Sequence, residues 1–265
     1  MCLILLAHAA HPRYALVVAA NRDEFYERPT APAQPWAEAP QVLAGRDLRG
    51  GGTWLGVTTE GRFAAVTNVR EPGRVRLDAP SRGELVGGFL TGDASPAAFL
   101  RGLEPRADAY NGFNLLLGEG RELWWFSNRG GAPRRLAPGV YGVSNHLLDT
   151  PWPKVTRGKQ RLQALLGAHD ELPPDALLAL LADAAPAADS ELPETGVGRE
   201  WERALSSAFI ASPAYGTRSS TALLVERSGG ATFVERSFAP GGEPAGEAAH
   251  RLRLAPPAPA ALRRG

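Results

Sequence analysis

The sequence predicts an α+β protein in which antiparallel sheets are covered by helices. Apolar runs of strand length, bounded by Gly, Asn or Pro, occur in adjacent pairs near both ends of the 265-residue chain. Amphipathic segments of helical length occupy much of the middle. Strands that follow one another as hairpins favour antiparallel sheets and argue against the alternating order of a Rossmann fold.

The strands are predicted from short runs rich in Val, Leu and aromatic residues. His11 and Pro12 suit a turn between the first two runs, and glycines at 118 and 120 and at 229–230 suit two later hairpins. The predicted strands, in chain order, are LILLA (3–7), YALVVAA (14–20), TWLGVT (53–58), RFAAVTN (62–68), FNLLLG (113–118), ELWWFS (122–127), VYGVSN (140–145), TALLVE (221–226) and TFVERSF (232–238).

Helices are predicted between the strand pairs. Ser81 precedes Glu84 with the spacing of a capping box, and Ser95 precedes a proline suited to the first helical position. Two longer amphipathic segments follow at 152–170 and 173–185. The order along the chain, with strands first, helices in the middle and strands last, indicates sheets covered by helices.

Composition predicts a single cytoplasmic domain at 1–240, followed by a Pro/Ala/Arg-rich tail at 241–265 that forms an irregular surface strip. A net charge of +1 indicates neither nucleic acid nor an anionic membrane as a partner. We expect no membrane span and no signal peptide, because the apolar segments are short and the start lacks a basic region. The 29 basic residues include only two lysines, which suggests a GC-rich bacterial genome.

Cys2 is the only cysteine and follows Met1 directly, so removal of the initiator would give it a free α-amine. An α-amine titrates near about 7.7 to 8.0 and a thiol near about 8.5, so the amine can act as general base for the thiol of the same residue. From its position alone, a lone cysteine in an apolar strand is more often a small buried hydrophobe. Both interpretations stay open at this point.

Asn21-Arg22-Asp23-Glu24 follows the second apolar run, where the strand is expected to end. A turn at His11-Pro12 would bring these residues beside Cys2. Arg22 would then favour the thiolate, and Asp23 would hold the amine. Successive residues of an extended strand face opposite sides, so a bulge or turn is expected here if both are to serve. The alternative is a solvated strand end with an internal ion pair.

Seven segments in order resemble the NRDE family, also called the transport and Golgi organisation protein 2 family. They are the MC start, NRDEFYERPT, GRDLRGGGTWLGVTTEGRFAAVTNVR, SRGELV, YNGFNLLLG, YGVSNHLLDTPWPKV and YGTRSSTALL, and together they span roughly residues 1–235. That family is similar to N-terminal-nucleophile hydrolases of the choloylglycine hydrolase and penicillin V acylase type. The resemblance implies an αββα sandwich and cleavage of a non-peptide amide.

The resemblance also implies roles for individual residues. Cys2 would be the nucleophile, Arg22 and Asp23 would position it, and Asn68 and Asn145 would bind the oxyanion. Arg218 would be a late arginine near the nucleophile. In those hydrolases two residues separate the Arg from the Asp, so which of Asn21, Arg22 and Asp23 takes each role stays open.

Other residues could bind the substrate, a small N-acyl compound. Asn21 is assigned to substrate binding, as are Trp54, which could line an apolar pocket, and Arg70, which follows Asn68 by two positions. No metal or cofactor is expected, since His8 and His11 lack further ligands at a recognisable spacing.

The resembling family has also been associated with haem handling and with lipid or acyl-CoA homeostasis. The rival hypothesis is therefore a non-catalytic carrier, in which the same cleft binds an apolar, anionic ligand held by Arg22 and Arg218.

Overall fold

The structure, a computed structural model, describes residues 2–255. Two antiparallel sheets form its centre. The first contains, in spatial order, β10 (Gly139–Val143), β1 (Cys2–His8), β2 (Tyr14–Phe25), β11 (Tyr215–Glu226), β12 (Gly230–Phe238) and β13 (Pro244–Arg253). The second contains β3 (Thr30–Trp36), β4 (Ala39–Asp47), β5 (Leu55–Thr58), β6 (Arg62–Asn68), β7 (Phe113–Glu119), β8 (Glu122–Ser127) and β9 (Arg134–Arg135).

Helices cover the outer face of each sheet. On the second sheet lie α1 (Gly83–Thr91) and α2 (Pro96–Leu103), and on the first lie α3 (Pro153–Ala168) and α4 (Pro174–Leu181). A short helix, α5 (Arg199–Ala204), lies between α4 and β11. The layers run helix, sheet, sheet, helix, which confirms the predicted αββα sandwich. None of the helices within residues 2–255 is long and apolar enough to cross a bilayer.

The alternation of side chains along β1 between the two faces of the sheet shows how the layers pack. Ile4 and Leu6 contribute to the core between the sheets, whereas Leu3 and Leu5 pack against the α3 and α4 layer. Because both faces of β1 are buried, its sequence is a continuous apolar run. Even-numbered positions of β1, and of β2 from Leu16 onward, thus face the second sheet, and odd-numbered positions face the helices.

Every apolar run predicted as a strand contributes to one, but β3, β4, β9 and β13 were not predicted. β3 contains Pro32 and Pro35 and alternates between exposed and buried residues, so it lacks a continuous apolar run. β9 is only two residues long. β3 and β9 form because β4 and β8 offer them backbone partners, information that no local pattern contains.

The two predicted serine caps have different outcomes. Ser95 accepts a hydrogen bond from the backbone N–H of Ala98 at 3.3 Å, so that prediction is confirmed. The Ser81 prediction is wrong: α1 begins at Gly83, and the backbone N–H of Glu84 donates to the carbonyl of Ser81 rather than to its side chain.

The predicted irregular tail is wrong for Pro244–Arg253, which forms β13. This strand pairs with β12 from Phe238 opposite Pro244 to Gly230 opposite Arg253. Its many small residues suit an edge strand whose residues are mostly exposed, because few large side chains need burial there. The rest of the predicted tail, 256–265, lies outside the described residues.

Candidate functional site

The segment Asn21–Glu24 lies inside β2 rather than after it. Arg22 pairs with Ser219 of β11, and pairing continues to Phe25 opposite Tyr215. Asn21, Arg22 and Asp23 are at most 5% exposed. The prediction that the strand ends before the charged residues is therefore wrong, because polar partners on both faces of the sheet allow these side chains to be buried.

Cys2 begins β1 directly opposite Arg22. Both occupy even-numbered positions, so their side chains lie on the face toward the second sheet, where directly opposed Cβ atoms are about 4.5–5.5 Å apart. Burial raises the pKa of the Cys2 thiol, and the Asp23 carboxylate acts in the same direction. Arg22 lowers that pKa, as does a hydrogen bond from the Asp23 backbone, but together they do not outweigh burial.

Asp23 faces the helix layer, and a bulge in β11 accommodates it. Thr217 pairs with Asp23 and Ser219 with Arg22, so Arg218 is the extra residue between them. The hydroxyl of Thr217 donates to Asp23 Oδ1 at 2.8 Å. The bulge expected from the sequence is thus in the partner strand, and it leaves Arg22 and Asp23 on opposite faces.

Lys154 is a buried cation on the same face as Asp23. It lies in the first turn of α3, is 4% exposed, and its Nζ has no hydrogen-bond partner within residues 2–255. Burial lowers the pKa of Lys154 to about 8; Asp23 and Cys2 act against this fall, and Arg70 adds to it. A helix N-terminus also disfavours a cation. The sequence signal for Lys154 was only its rarity, since it is one of two lysines.

Arg82 is a second charged neighbour of Cys2 that the sequence prediction missed. Burial lowers the pKa of this guanidinium, whereas Cys2 and Glu24 raise it. Its Nη1 donates to the carbonyl of Gly112 at 3.1 Å, which fixes the side chain. The segment SRGELV was used for a helix start and for the family resemblance, without a role for Arg82.

Asn21 connects β2 to the helix layer. Its Nδ2 donates to the carbonyls of Leu181 at 3.0 Å and Ala208 at 2.7 Å, and its Oδ1 accepts from the hydroxyl of Ser220. The amide is therefore occupied by protein groups at the end of α4. This position gives it a structural role, and its assignment to substrate binding stays a prediction.

Two predicted asparagines are linked to Cys2 by hydrogen bonds. Asn145 is fully buried, and its Nδ2 donates to the carbonyl of Asn68 at 2.9 Å. The hydroxyl of Ser144 donates to the carbonyl of Cys2 at 2.9 Å, and its oxygen lies 3.3 Å from Asn145 Oδ1. The Asn68 side chain makes no hydrogen bond to another residue in the described range. The structure therefore brings Cys2, Asn68 and Asn145 into one network, with the Asn68 amide still available.

The side chain of Arg70, unlike that of Asn68, is already bound to other residues of the protein. It forms a buried ion pair with Glu202, and its guanidinium lies 4.7 Å from the ring centre of Trp152. Its backbone N–H donates to the carbonyl of Asn145 at 2.7 Å. The residue supports the Asn145 loop, and substrate binding by its side chain would require loss of the Glu202 pair.

A cavity of about 320 Å³ lies between the sheets beside Arg22. Its lining includes Trp54 and Arg218, and the Arg22 guanidinium stacks 4.4 Å from the Trp54 ring centre. Arg218 Nη1 donates to the carbonyls of Phe25 at 2.9 Å and Arg28 at 3.0 Å, so it also fixes the connection from β2 to β3. Three predicted site residues therefore meet at one cavity of ligand size.

The histidines lie elsewhere. His8 is at the far end of β1 from Cys2, and His11 Nε2 is 2.9 Å from the carbonyl oxygen of His169. Within residues 2–255 no group of three or more His, Cys, Asp or Glu side chains could hold a metal ion.

The family description "Transport and Golgi organisation 2" matches residues 1–240. The chain belongs to the Transport and Golgi organisation 2 family. This confirms the resemblance seen in the sequence. Named relatives of the family are similar over most of their length. The Transport and Golgi organization protein 2 homologs of Bos taurus and Homo sapiens are 41% and 38% identical over 258 residues, covering 90% of this chain and 93% of each relative.

The Drosophila melanogaster member of the Transport and Golgi organisation 2 family, Transport and Golgi organization protein 2, is 30% identical, covering 93% of this chain and 95% of its own. Among solved structures, the N-acylethanolamine-hydrolyzing acid amidase ortholog of Caenorhabditis elegans is similar at a TM-score of 0.41 and 11% identity, covering 84% of this chain and 92% of that one.

The bacterial source expected from the arginine-rich composition is wrong as judged by these family members. The similar proteins come from cow, mouse, human and fly, all of them eukaryotes. A preference for arginine over lysine reports codon composition, which is not specific to bacteria. It was therefore a poor guide to source for a member of the Transport and Golgi organisation 2 family.

Proposed function

We propose that this member of the Transport and Golgi organisation 2 family is a cysteine amidohydrolase that cleaves a non-peptide amide of a small N-acyl compound. The observation that carries the proposal is the direct pairing of Cys2 with Arg22 beside the cavity between the sheets. The pairing sets the thiol of a partly exposed residue next to a guanidinium and near a space large enough for a small ligand.

In the proposed reaction the Cys2 thiolate attacks the amide carbonyl carbon and forms a tetrahedral oxyanion. Collapse breaks the carbon–nitrogen bond, the amine leaves with a proton, and an acyl thioester remains on Cys2. Water then attacks the thioester, which releases the carboxylic acid and restores the thiol. The reaction needs no oxidant or reductant.

A base is required because burial raises the pKa of the thiol. The proposal assigns this role to the α-amine of Cys2, which must be free of Met1. An amine with a pKa near about 7.7 to 8.0 can accept the thiol proton around neutral pH. Asp23, held by Thr217 on the helix side, would then orient the ammonium group.

The oxyanion would be bound mainly by the Asn68 side chain. Asn145 uses its Nδ2 on the Asn68 carbonyl, so we assign it the positioning of Asn68 rather than direct contact with the substrate. One oxyanion donor is typically worth about 10² to 10³ in rate.

Intact mass spectrometry of untagged protein and a thiol-reactive acyl probe test the proposal. We expect a mass lacking Met1, labelling at Cys2, and loss of labelling in Cys2→Ala. Cys2→Ser, which keeps the shape but weakens the nucleophile, should label far more slowly. Retained Met1 together with an unreactive Cys2 would refute the enzyme hypothesis. Stoichiometric binding of haem or acyl-CoA without turnover, persisting in Cys2→Ala, would favour the carrier.

A further inference from the structure

One row of cross-strand partners leads from the thiol into the cavity. Cys2 pairs with Arg22, Arg22 with Ser219, Ser219 with Ser237, and Ser237 with Gly246. Apart from Cys2, every member of this row lines the cavity. Because adjacent strands are about 4.8 Å apart, the cavity wall begins about 5 Å from Cys2 and passes Ser219 at about 10 Å.

Two arginine nitrogens at this wall lack partners. Arg22 is 5% exposed, and its Nη1 makes no hydrogen bond within residues 2–255. The Nε of Arg218 is likewise buried without a partner in that range. A buried donor without a partner carries a desolvation cost of about 1–3 kcal/mol, and more when the group is charged. A ligand that accepts from both nitrogens would remove that cost.

The neighbouring acids do not satisfy these nitrogens. Asp47 Oδ2 lies 2.8 Å from Arg28 Nε. It is farther, 3.8 Å, from Nη2 of Arg22, the other terminal nitrogen of that guanidinium. Glu247 is bound to Arg236 at 2.7 Å. Glu235 accepts from the backbone N–H of Ala33 at 2.8 Å, and burial raises the pKa of this carboxyl toward the neutral form. Two guanidinium nitrogens of the lining residues are therefore not hydrogen-bonded to any of these acids within residues 2–255.

We propose that the cavity between the sheets is an anion subsite, in which the guanidinium groups of Arg22 and Arg218 bind a carboxylate or phosphate of the substrate within about 10 Å of the scissile amide. The volume of about 320 Å³ is at the small end of ligand pockets, so it suits one compact anionic group with a short apolar neighbour. Trp54 and Phe238 supply the apolar contacts. This assignment rests on the proposed function only for calling the ligand a substrate.

Calorimetric titration of the full chain with hexanoate, monobutyl phosphate and neutral hexanamide tests the subsite. We expect at least one of the two anions to bind at least tenfold more tightly than hexanamide. Binding of hexanoate alone identifies a carboxylate site, and binding of monobutyl phosphate alone a phosphate site. If neither anion binds more tightly than hexanamide, the proposal is overturned.

Variants locate the binding. Arg22→Met should lower the affinity for the preferred anion at least tenfold. Arg46→Met is the matched control, because Arg46 also stacks on a tryptophan, 4.1 Å from the Trp36 ring centre, but does not line the cavity. Equal losses in the two variants would contradict the assignment.

Arg218 also holds backbone carbonyls, so Arg218→Met could unfold the β2–β3 connection. Ala248→Leu avoids this problem, because it fills the cavity from β13 and leaves both arginines in place. We expect it to abolish anion binding with an unchanged circular dichroism spectrum. Retained binding in this variant would place the anion elsewhere.

Cys2→Ala separates this proposal from the proposed reaction. Anion binding that persists in Cys2→Ala supports the subsite whether or not the wild type cleaves amides. If the wild type reacts with acyl probes but binds neither anion preferentially, only the subsite fails.

Discussion

Arg22 and Asp23 are adjacent in the chain but act on Cys2 from opposite faces of one sheet. Arg22 lies beside the thiol in the space between the sheets, and Asp23 lies under the helices with Thr217 and Lys154. Their effects on the pKa of the thiol have opposite signs. Because successive residues of a strand face opposite sides of the sheet, each of the two charges lies in a separate environment. Two adjacent residues in a loop would not be separated in this way.

We therefore predict opposite shifts in the reactivity of Cys2. Asp23→Asn removes a negative charge that raises the pKa of the thiol, so the pH profile of iodoacetamide alkylation should move to lower pH. Arg22→Met removes a positive charge and should move it to higher pH. At pH 7 the two variants should differ in alkylation rate by at least about tenfold, since the thiolate is the reacting form. Mass spectrometry gives the rates, and shifts of the same sign would contradict the charge assignment.

Lys154 predicts a dependence of stability on pH. Its pKa falls from 10.5 in the unfolded chain to about 8 in the fold, so the unfolded chain binds more protons between these values. The free energy of unfolding should therefore rise as the pH increases from about 8 to about 10.5, by roughly 3 kcal/mol from this group. Urea unfolding at pH 7.5, 9 and 10 measures the rise.

Lys154→Met should remove this rise, because a neutral side chain does not titrate. The matched control is Lys159→Met in the same helix, whose lysine is partly exposed and lies 2.7 Å from Asp149. The control should keep the pH dependence of the wild type. A rise of equal size in Lys154→Met would show that other groups cause it.

At the scale of elements, the loop after β10 joins the two sheets. Asn145 reaches the carbonyl of Asn68 at the end of β6 in the second sheet, and Ser144 reaches Cys2 in the first. The backbone of Arg70 donates back to Asn145. One short loop therefore fixes the distance between the nucleophile and the assigned oxyanion donor.

This loop predicts different effects for its two asparagines. Asn145→Ala leaves buried groups without partners, so we expect a loss of about 1–3 kcal/mol in the free energy of unfolding. Asn68→Ala removes a side chain without such bonds and should cost less than about 0.5 kcal/mol. It should still slow acylation of Cys2 by about 10². Thermal unfolding and acyl-probe kinetics separate the two, and an equal stability loss would contradict the division of roles.

Strands could be predicted from the sequence wherever a short segment was continuously apolar, as in β1, β5 and β7. It could not predict β3 or β13, whose residues become strands because an adjacent strand supplies backbone partners. The candidate site shows the same limit. Types of residue such as Cys2 and Arg22 could be recognised, but their register and the bulge at Arg218 follow from long-range pairing. The burial of Lys154 depends on how α3 packs on the first sheet.

For the whole molecule, the sandwich gathers chain segments far apart in sequence at one end of both sheets. Cys2 starts β1, the Asn21–Glu24 segment ends β2, and Asn68 ends β6. The cavity lies at the same end, and β13 supplies its outer wall through Gly246 and Ala248. An edge strand that looked irregular in sequence thus completes the cavity next to the candidate nucleophile.

Removal of β13 should therefore damage both stability and ligand binding. A chain truncated before Pro244 leaves β12 as an unpaired edge, and such edges promote self-association. We expect lower thermal stability, larger species in size-exclusion chromatography with light scattering, and loss of anion binding. Glu247→Ala is the control for stability alone, because it removes an exposed ion pair with Arg236 and should change stability by less than about 0.5 kcal/mol. A truncated chain that elutes at the size expected from the wild type and binds hexanoate or monobutyl phosphate like the wild type would show that β13 is not part of the cavity wall.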